Sequence, residues 1–460
     1  MNGMRFVKPV RLLLGGALLC AALATPAHAA DEMESAYEAR KETAADALHG
    51  RIAYGGLWVN DSSDQGNRDL SISHIYYRLV SERLFGRDDV ELNVDGRYRI
   101  AHGRDWNSKI PANRLLMANV KIRKIADTVD LTLGRSFMEE FVTQGVDGAD
   151  AKIWLTKYTG VGLFGGLRPD PFTDAVNPDF TTYGVYAFSK TDLVGGSLGY
   201  AIDNFKGATD RERANAALYV MPATQWWHLM ASMDADHDFD AEDPNDHGGV
   251  NKWFASNTLL HFTARPKEWL SLSATYNDFM AINRELSIEE AVGEESYTEE
   301  RYSVSRLRVE VRPIKVVGLY GGFDNRWREH DGRNANQYYV GARAYNFYNT
   351  TWDVRYANLE WFTSDVQVYT GSVGLALDRA DATLTVTRLT NQQQESGSAN
   401  EMSQWIYEAS GAFWLTKHLY GTLSFSYSQE EFLDVDSIYA SRYDTNFTTT
   451  TFYGQLGYRF

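Results

Sequence analysis

Seven carboxylates crowd the stretch from Asp234 to Asp246: Asp234, Asp236, Asp238, Asp240, Glu242, Asp243 and Asp246. Its opening D-x-D-x-D, at Asp234, Asp236 and Asp238, spaces oxygen ligands as the first half of a calcium loop does. The second half does not follow. Phe239 stands where such a loop needs glycine for its turn, and Asn245 where it needs a bidentate glutamate. The stretch reads first as a solvated acidic surface loop and second as a loose divalent-cation site, the one cofactor suggested anywhere in the chain. Glu285, Glu289, Glu290, Glu294, Glu295, Glu299 and Glu300 form a second acidic segment that reads the same way. No G-x-S-x-G, H-E-x-x-H or phosphate-binding glycine loop is present. Serines and histidines are scattered without a triad-like spacing, so no enzyme is expected.

Cations are more ordered than carboxylates. Arg97 and Arg99 lie two apart, as do Lys121 and Arg123, Arg306 and Arg308, and Arg326 and Arg328; Arg312 continues the third pair. Glu91, Asp95, Glu310 and Asp324 are interleaved with them. A period of two puts such residues on one face of a strand. There they either neutralise and brace a polar wall, or form a basic stripe that draws anions, since rows of charge set pore selectivity.

The elements that carry these rows alternate throughout. Val90, Leu92, Val94, Tyr98 and Ile100 oppose Glu91, Asn93, Asp95, Arg97 and Arg99. Leu116, Ala118, Val120 and Ile122 oppose Asn119, Lys121 and Arg123, and Leu307, Val309 and Val311 oppose Arg306, Arg308, Glu310 and Arg312. Leu423, Phe425 and Tyr427 oppose Ser424, Ser426 and Ser428. One strand cannot tell inside from outside. Repetition over roughly 400 residues with almost no helical period exceeds the usual all-β domain and favours a barrel with a polar lumen. Short turns, such as those near 126–128, 190–192 and 313–314, alternate with long polar segments such as 102–112, 168–180, 281–298 and 430–446. About 22 strands result, within a range of 20–24, and an even count leaves both termini on the short-turn side.

The last strand and the N-terminus agree with this. Phe452, Leu456, Tyr458 and Phe460 alternate with Tyr453, Gln455 and Arg459, and this pattern resembles the closing strand of a bacterial outer-membrane β-barrel of porin-like type. Arg5, Lys8 and Arg11, the apolar stretch Leu12 to Ala24 and the A-x-A site at Ala27 to Ala29 read as a secretory signal over residues 1–29. The sole cysteine, Cys20, falls inside it, so the exported chain is expected to hold no disulfide, thiolate metal site or covalent haem. Taking the three signal cations from the formal charge of −16 leaves −19, which disfavours nucleic acid as a partner. Mean hydropathy is only −0.40 although 13% of residues are aromatic, as expected where every second strand residue meets water and the interfaces carry aromatic girdles. Residues 30–50 read as a periplasmic segment with Met33, Tyr37, Ala44 and Leu48 on one face of a short helix ending at Gly50, either a frayed lead-in to the first strand or a docking helix or partial plug; residues 51–460 read as one transmembrane antiparallel β-barrel.

Leu133 to Leu155 is similar to the Gly-Arg … Asp-Gly strand–loop–strand of several porin-like and polysaccharide-export barrels. The resemblance implies that Arg135 and Asp147 sit near the mouth or constriction and that the connecting loop folds inward. Three functions are left. The first is an outer-membrane channel for small hydrophilic solutes, anions among them; a lumen of about 22 strands is wide enough to need narrowing by loops or a plug. The others are an export barrel for an anionic polysaccharide and a sleeve around a multihaem cytochrome. Expected partners are outer-membrane lipid and lipopolysaccharide, the barrel-assembly machinery and a periplasmic protein.

Overall fold

The computed structural model describes residues 48–63, 66–102, 113–138, 140–141, 145–170, 174–238, 252–280, 301–329, 332–361, 364–393, 400–432 and 446–460. The signal segment and residues 30–47 lie outside them. The last residues of the expected helix, Leu48 to Gly50, instead open the first strand. A ladder partner explains the difference: Gly50 and Phe460 exchange both backbone hydrogen bonds, at 3.0 and 3.1 Å.

Strands β1 to β11 are Leu48–Ser63, Gly66–Ser81, Val90–His102, Asn113–Ile125, Val129–Phe137, Gly145–Trp154, Thr159–Leu167, Phe180–Lys190, Val194–Phe205, Ala208–Val220 and Trp227–Asp238. Strands β12 to β22 are Lys252–Lys267, Leu270–Met280, Arg301–Ile314, Val317–Arg328, Asn334–Phe347, Thr350–Glu360, Ser364–Leu377, Ala380–Gln393, Asn400–Trp414, Leu419–Phe432 and Asn446–Arg459. Each pairs antiparallel with the next. β22 then pairs with β1, from Arg51 opposite Arg459 to Ser63 opposite Phe447, so the 22-stranded sheet closes without an edge.

Alternation decides which face is which. Ile52, Tyr54 and Trp58 of β1, Leu384 of β19, Leu423 and Phe425 of β21, and Phe452, Leu456 and Tyr458 of β22 are all exposed on the outer face. Charged residues alternate with apolar ones on β3, β4 and β14, as the sequence suggests. A hydrocarbon bilayer admits only segments whose backbone polar groups are paired internally, which a closed barrel achieves. An apolar exterior around a polar interior therefore makes this chain a transmembrane β-barrel of outer-membrane type.

Connections at one end are mostly short: 126–128, 191–193, 268–269, 315–316, 348–349 and 378–379. At the other end they are mostly longer, including 103–112, 168–179, 239–251, 281–300 and 433–445. Two connections at the long-loop end are only two residues long, 64–65 and 206–207. Lys206 and Gly207 both take positive φ, 51° and 83°, the type I′ turn that matches strand twist.

Candidate functional site: the barrel interior

One sector of the lumen is filled by the chain itself. Beyond Phe137 the chain turns inward, and Met138, Glu140 and Phe141 are buried against the inner faces of β6 to β10. Phe141 is 1% exposed; its ring centroid lies 5.6 Å from that of Phe164, and the Arg213 guanidinium stands 5.6 Å over it. Glycine makes the room. A Cβ on Gly199 would stand 2.5 Å from Phe141 Cδ2, and one on Gly162 would collide with the Tyr186 ring. Met138, Phe141, Val146, Phe164, Tyr186, Phe188 and Ala201 form one apolar cluster with Trp154 against it.

Polar groups in this sector compensate one another. Glu140 Oε1 accepts from Lys152 Nζ and pairs with Lys190 Nζ, both at 2.7 Å. Tyr186 donates to Asp150 at 2.6 Å, and Thr182 donates to Asp203 at 2.6 Å. Asp203 also meets Arg213 Nη2 at 2.9 Å and Arg168 Nη1 at 3.3 Å. A carboxylate removed from water needs such partners, because an unpaired buried charge costs several kcal/mol.

The D-x-D-x-D residues belong to this wall and not to a loop. Asp234, Asp236 and Asp238 are strand residues of β11. Asp236, 1% exposed, pairs with Arg211; Asp234 accepts from Asn215 Nδ2 at 2.5 Å and Asn257 Nδ2 at 3.3 Å. Their period of two is a strand period: Ala235 and His237 occupy the other face. The rest of the expected acidic loop, 239–246, and the glutamate segment 285–300 lie outside the described residues.

A second sector, formed by β14 to β17, is open and basic. On the inner faces of β14 and β15, Arg328, Arg326, Arg306, Arg308 and Arg312 succeed one another from the long-loop end to the short-turn end. Arg343 of β16 and Arg355 of β17 join them, opposite Gly318 and Gly341 respectively. Among the described residues, the inward carboxylates Glu310, Asp324 and Asp353 stand among these seven guanidiniums. Arg343 Nε donates to Asp353 at 2.7 Å, Arg312 Nε to Glu310 at 2.8 Å, and Arg306 Nε lies 3.6 Å from Asp324.

Tyrosines hold the guanidiniums in place. Arg308 stands 5.0 Å over Tyr320, Arg355 4.5 Å over Tyr339 and Arg312 4.5 Å over Tyr345. Tyr320 and Tyr345 in turn donate to Asp353 and Glu310, at 2.8 and 2.6 Å. Stacking leaves the planar N–H groups of an arginine free to meet an anion. Between these side chains lies a cleft of about 400 Å³. Among the described residues Arg355 has no carboxylate within ion-pair distance.

The two rows expected from sequence are not brought together. Arg97 and Arg99 of β3 face inward opposite Tyr76 and His74, Lys121 of β4 lies opposite Glu91, and Arg123 pairs with Glu91. They stand about half the circumference away from β14 and β15. Arg135 and Asp147 do pair, Nη2 to Oδ2 at 2.5 Å, near the long-loop ends of β5 and β6. Arg135 Nη1 also donates to the carbonyls of Leu115, at 2.8 Å, and Asp174, at 2.7 Å. It thereby ties the 168–179 connection to β4. Arg343, Arg355 and the tyrosines were not singled out in the sequence, although Arg343 and Tyr345 alternate with Ala342 and Ala344 as a two-faced strand would.

Solved structures share the general architecture. OccK11 (OpdR) of Pseudomonas aeruginosa is 8% identical, with 90% of this chain and 96% of that one covered and a TM-score of 0.41. The translocation pore of the P pilus usher PapC is 9% identical over 89% and 99%, with a TM-score of 0.43. A BenF-like porin from Pseudomonas fluorescens Pf-5 is 10% identical over 90% and 98%, with a TM-score of 0.39. No family model and no curated protein matches the chain. Likeness at this level carries no functional argument, and function is read from the interior itself.

Proposed function

We propose that the protein is an outer-membrane channel for small hydrophilic solutes, with the β14–β17 sector as its conducting path and a preference for anions. The file of inward arginines along the full height of that sector carries the reading. A charged solute passing a bilayer needs fixed counter-charge at each level, and binding weak enough to let it move on. Tyrosine-stacked guanidiniums, partly neutralised by Asp324, Asp353 and Glu310, offer both. The filled sector supports the same reading, because a 22-stranded barrel is otherwise wide. It also speaks against a sleeve around a folded cytochrome, since that protein would have to occupy the volume taken by Phe141 and its neighbours. No observation favours polysaccharide export.

The test is conductance and reversal potential of the purified barrel in a planar bilayer under a salt gradient. Open-channel steps with anion preference are expected. Replacing Arg306, Arg308, Arg343 and Arg355 together by glutamine should remove that preference while the channel still opens. A barrel that passes no current, or a preference unmoved by the four substitutions, would sink the proposal.

A further inference from the structure

Arg388 lies on the outer face, where the lumen cannot use it. In β19, Leu384 and Val386 point to the lipid, and two residues further on Arg388 takes the same face. Register aligns it in a row across four strands, Tyr356, Tyr369, Arg388 and Trp405. The row below is Val354, Gly371, Val386 and Tyr407; the row above is Asn358, Gln367, Thr390 and Ser403. Arg388 thus lies at the level where the outer surface changes from apolar to polar, on the side of the long loops. Trp405 and the tyrosines are the residue types that settle at such an interface.

Its surroundings leave the charge available. The guanidinium stands 5.5 Å over the Trp405 ring, and among the described residues no carboxylate pairs with it. The next carboxylate up this face, Glu431 of β21, stands one row higher and two strands away, and Glu360 and Asp365 stand two rows higher. Beside Arg388 runs a groove of about 910 Å³ whose outer lining includes Val340, Val354, Gly371 and Val386. A Cβ on Gly371 would meet nothing within 4 Å, so the groove is open at its floor. At this level a guanidinium costs little on the lipid face, because it reaches the headgroup layer, where anions and water meet it.

We infer that this groove binds a phosphorylated lipid of the outer leaflet, the lipid A part of lipopolysaccharide, with Arg388 on a phosphate and an acyl chain along Val354, Gly371 and Val386. A free phosphate would leave the apolar groove unused; a neutral lipid would leave the cation unanswered. The inference rests on the barrel lying in an outer membrane, and not on what the lumen passes.

The full barrel, folded in detergent micelles, should be titrated with bis-phosphorylated lipid A, with its phosphate-free counterpart and with inorganic phosphate, reading binding by native mass spectrometry and by the thermal midpoint. Wild type should bind the phosphorylated lipid about tenfold more tightly than does Arg388→Gln, the worth of one charge-assisted contact. Phosphate-free lipid should show the same loss on wild type, and inorganic phosphate should not move the midpoint. Equal binding by Arg388→Gln, or equal binding of the phosphate-free lipid, overturns the assignment. So does a lipid-free oligomer that dissociates in Arg388→Gln, which would make this face a contact between copies. Bilayer conductance of Arg388→Gln should equal wild type, so failure here and failure of the channel reading are separable.

Discussion

Phe141 owes its burial to glycine on a neighbouring strand, and Arg135 owes its burial to a carboxylate across the hairpin. Both dependencies can be measured. Phe141→Ala empties a packed site and should cost about 3–5 kcal/mol in denaturant titrations of the lipid-inserted barrel. The same variant should raise single-channel conductance, because the inward segment loses its anchor; unchanged conductance would mean the segment is held by Glu140 and its lysines alone. Arg135→Leu or Asp147→Leu each strands a partner charge and should cost about 3–5 kcal/mol. The double leucine variant should cost clearly less than the two together, and strict additivity would count against a buried pair. Residue identities such as Asp-Gly and Gly-Arg mark these positions in the sequence. The packing of Phe141 on Gly199 does not show there, because fifty-eight positions separate the two and no period links them.

Strands were the most legible level. The two faces of β3, β4, β14 and β21 follow from alternation alone, since a period of two leaves no other choice of face once the ladder forms. Strand ends were less legible, because these strands run past the apolar belt and stay paired where both faces are polar. Asp234 and Asp236 show this: an acidic run reads as loop by composition, yet Asn215, Asn257 and Arg211 wait on adjacent strands. Asp236→Asn should therefore lower the thermal midpoint equally with and without calcium. A midpoint of wild type that rises on calcium addition, and fails to rise in Asp236→Asn, would restore the cation site. The basic sector depends on β16 and β17 as much as on β14 and β15, a contribution that becomes visible only when Gly318 and Gly341 place Arg343 and Arg355 beside the others.

At the scale of the whole molecule the inside–outside assignment is itself testable. Leu384→Arg puts a charge on the lipid-facing belt and should cost about 2–4 kcal/mol, whereas Thr385→Arg, facing the lumen, should cost little. Equal penalties would mean the faces are misassigned. The filled sector has a consequence for how such a barrel comes to exist. Every side chain in the interior cluster comes from residues 138–201, one unbroken run of neighbouring hairpins. A curling, still open sheet can therefore pack its own interior as those hairpins arrive, before the last strand meets the first. No segment has to be threaded into a finished cylinder. The seam between β22 and β1 then shuts on a sheet of which one sector is already packed.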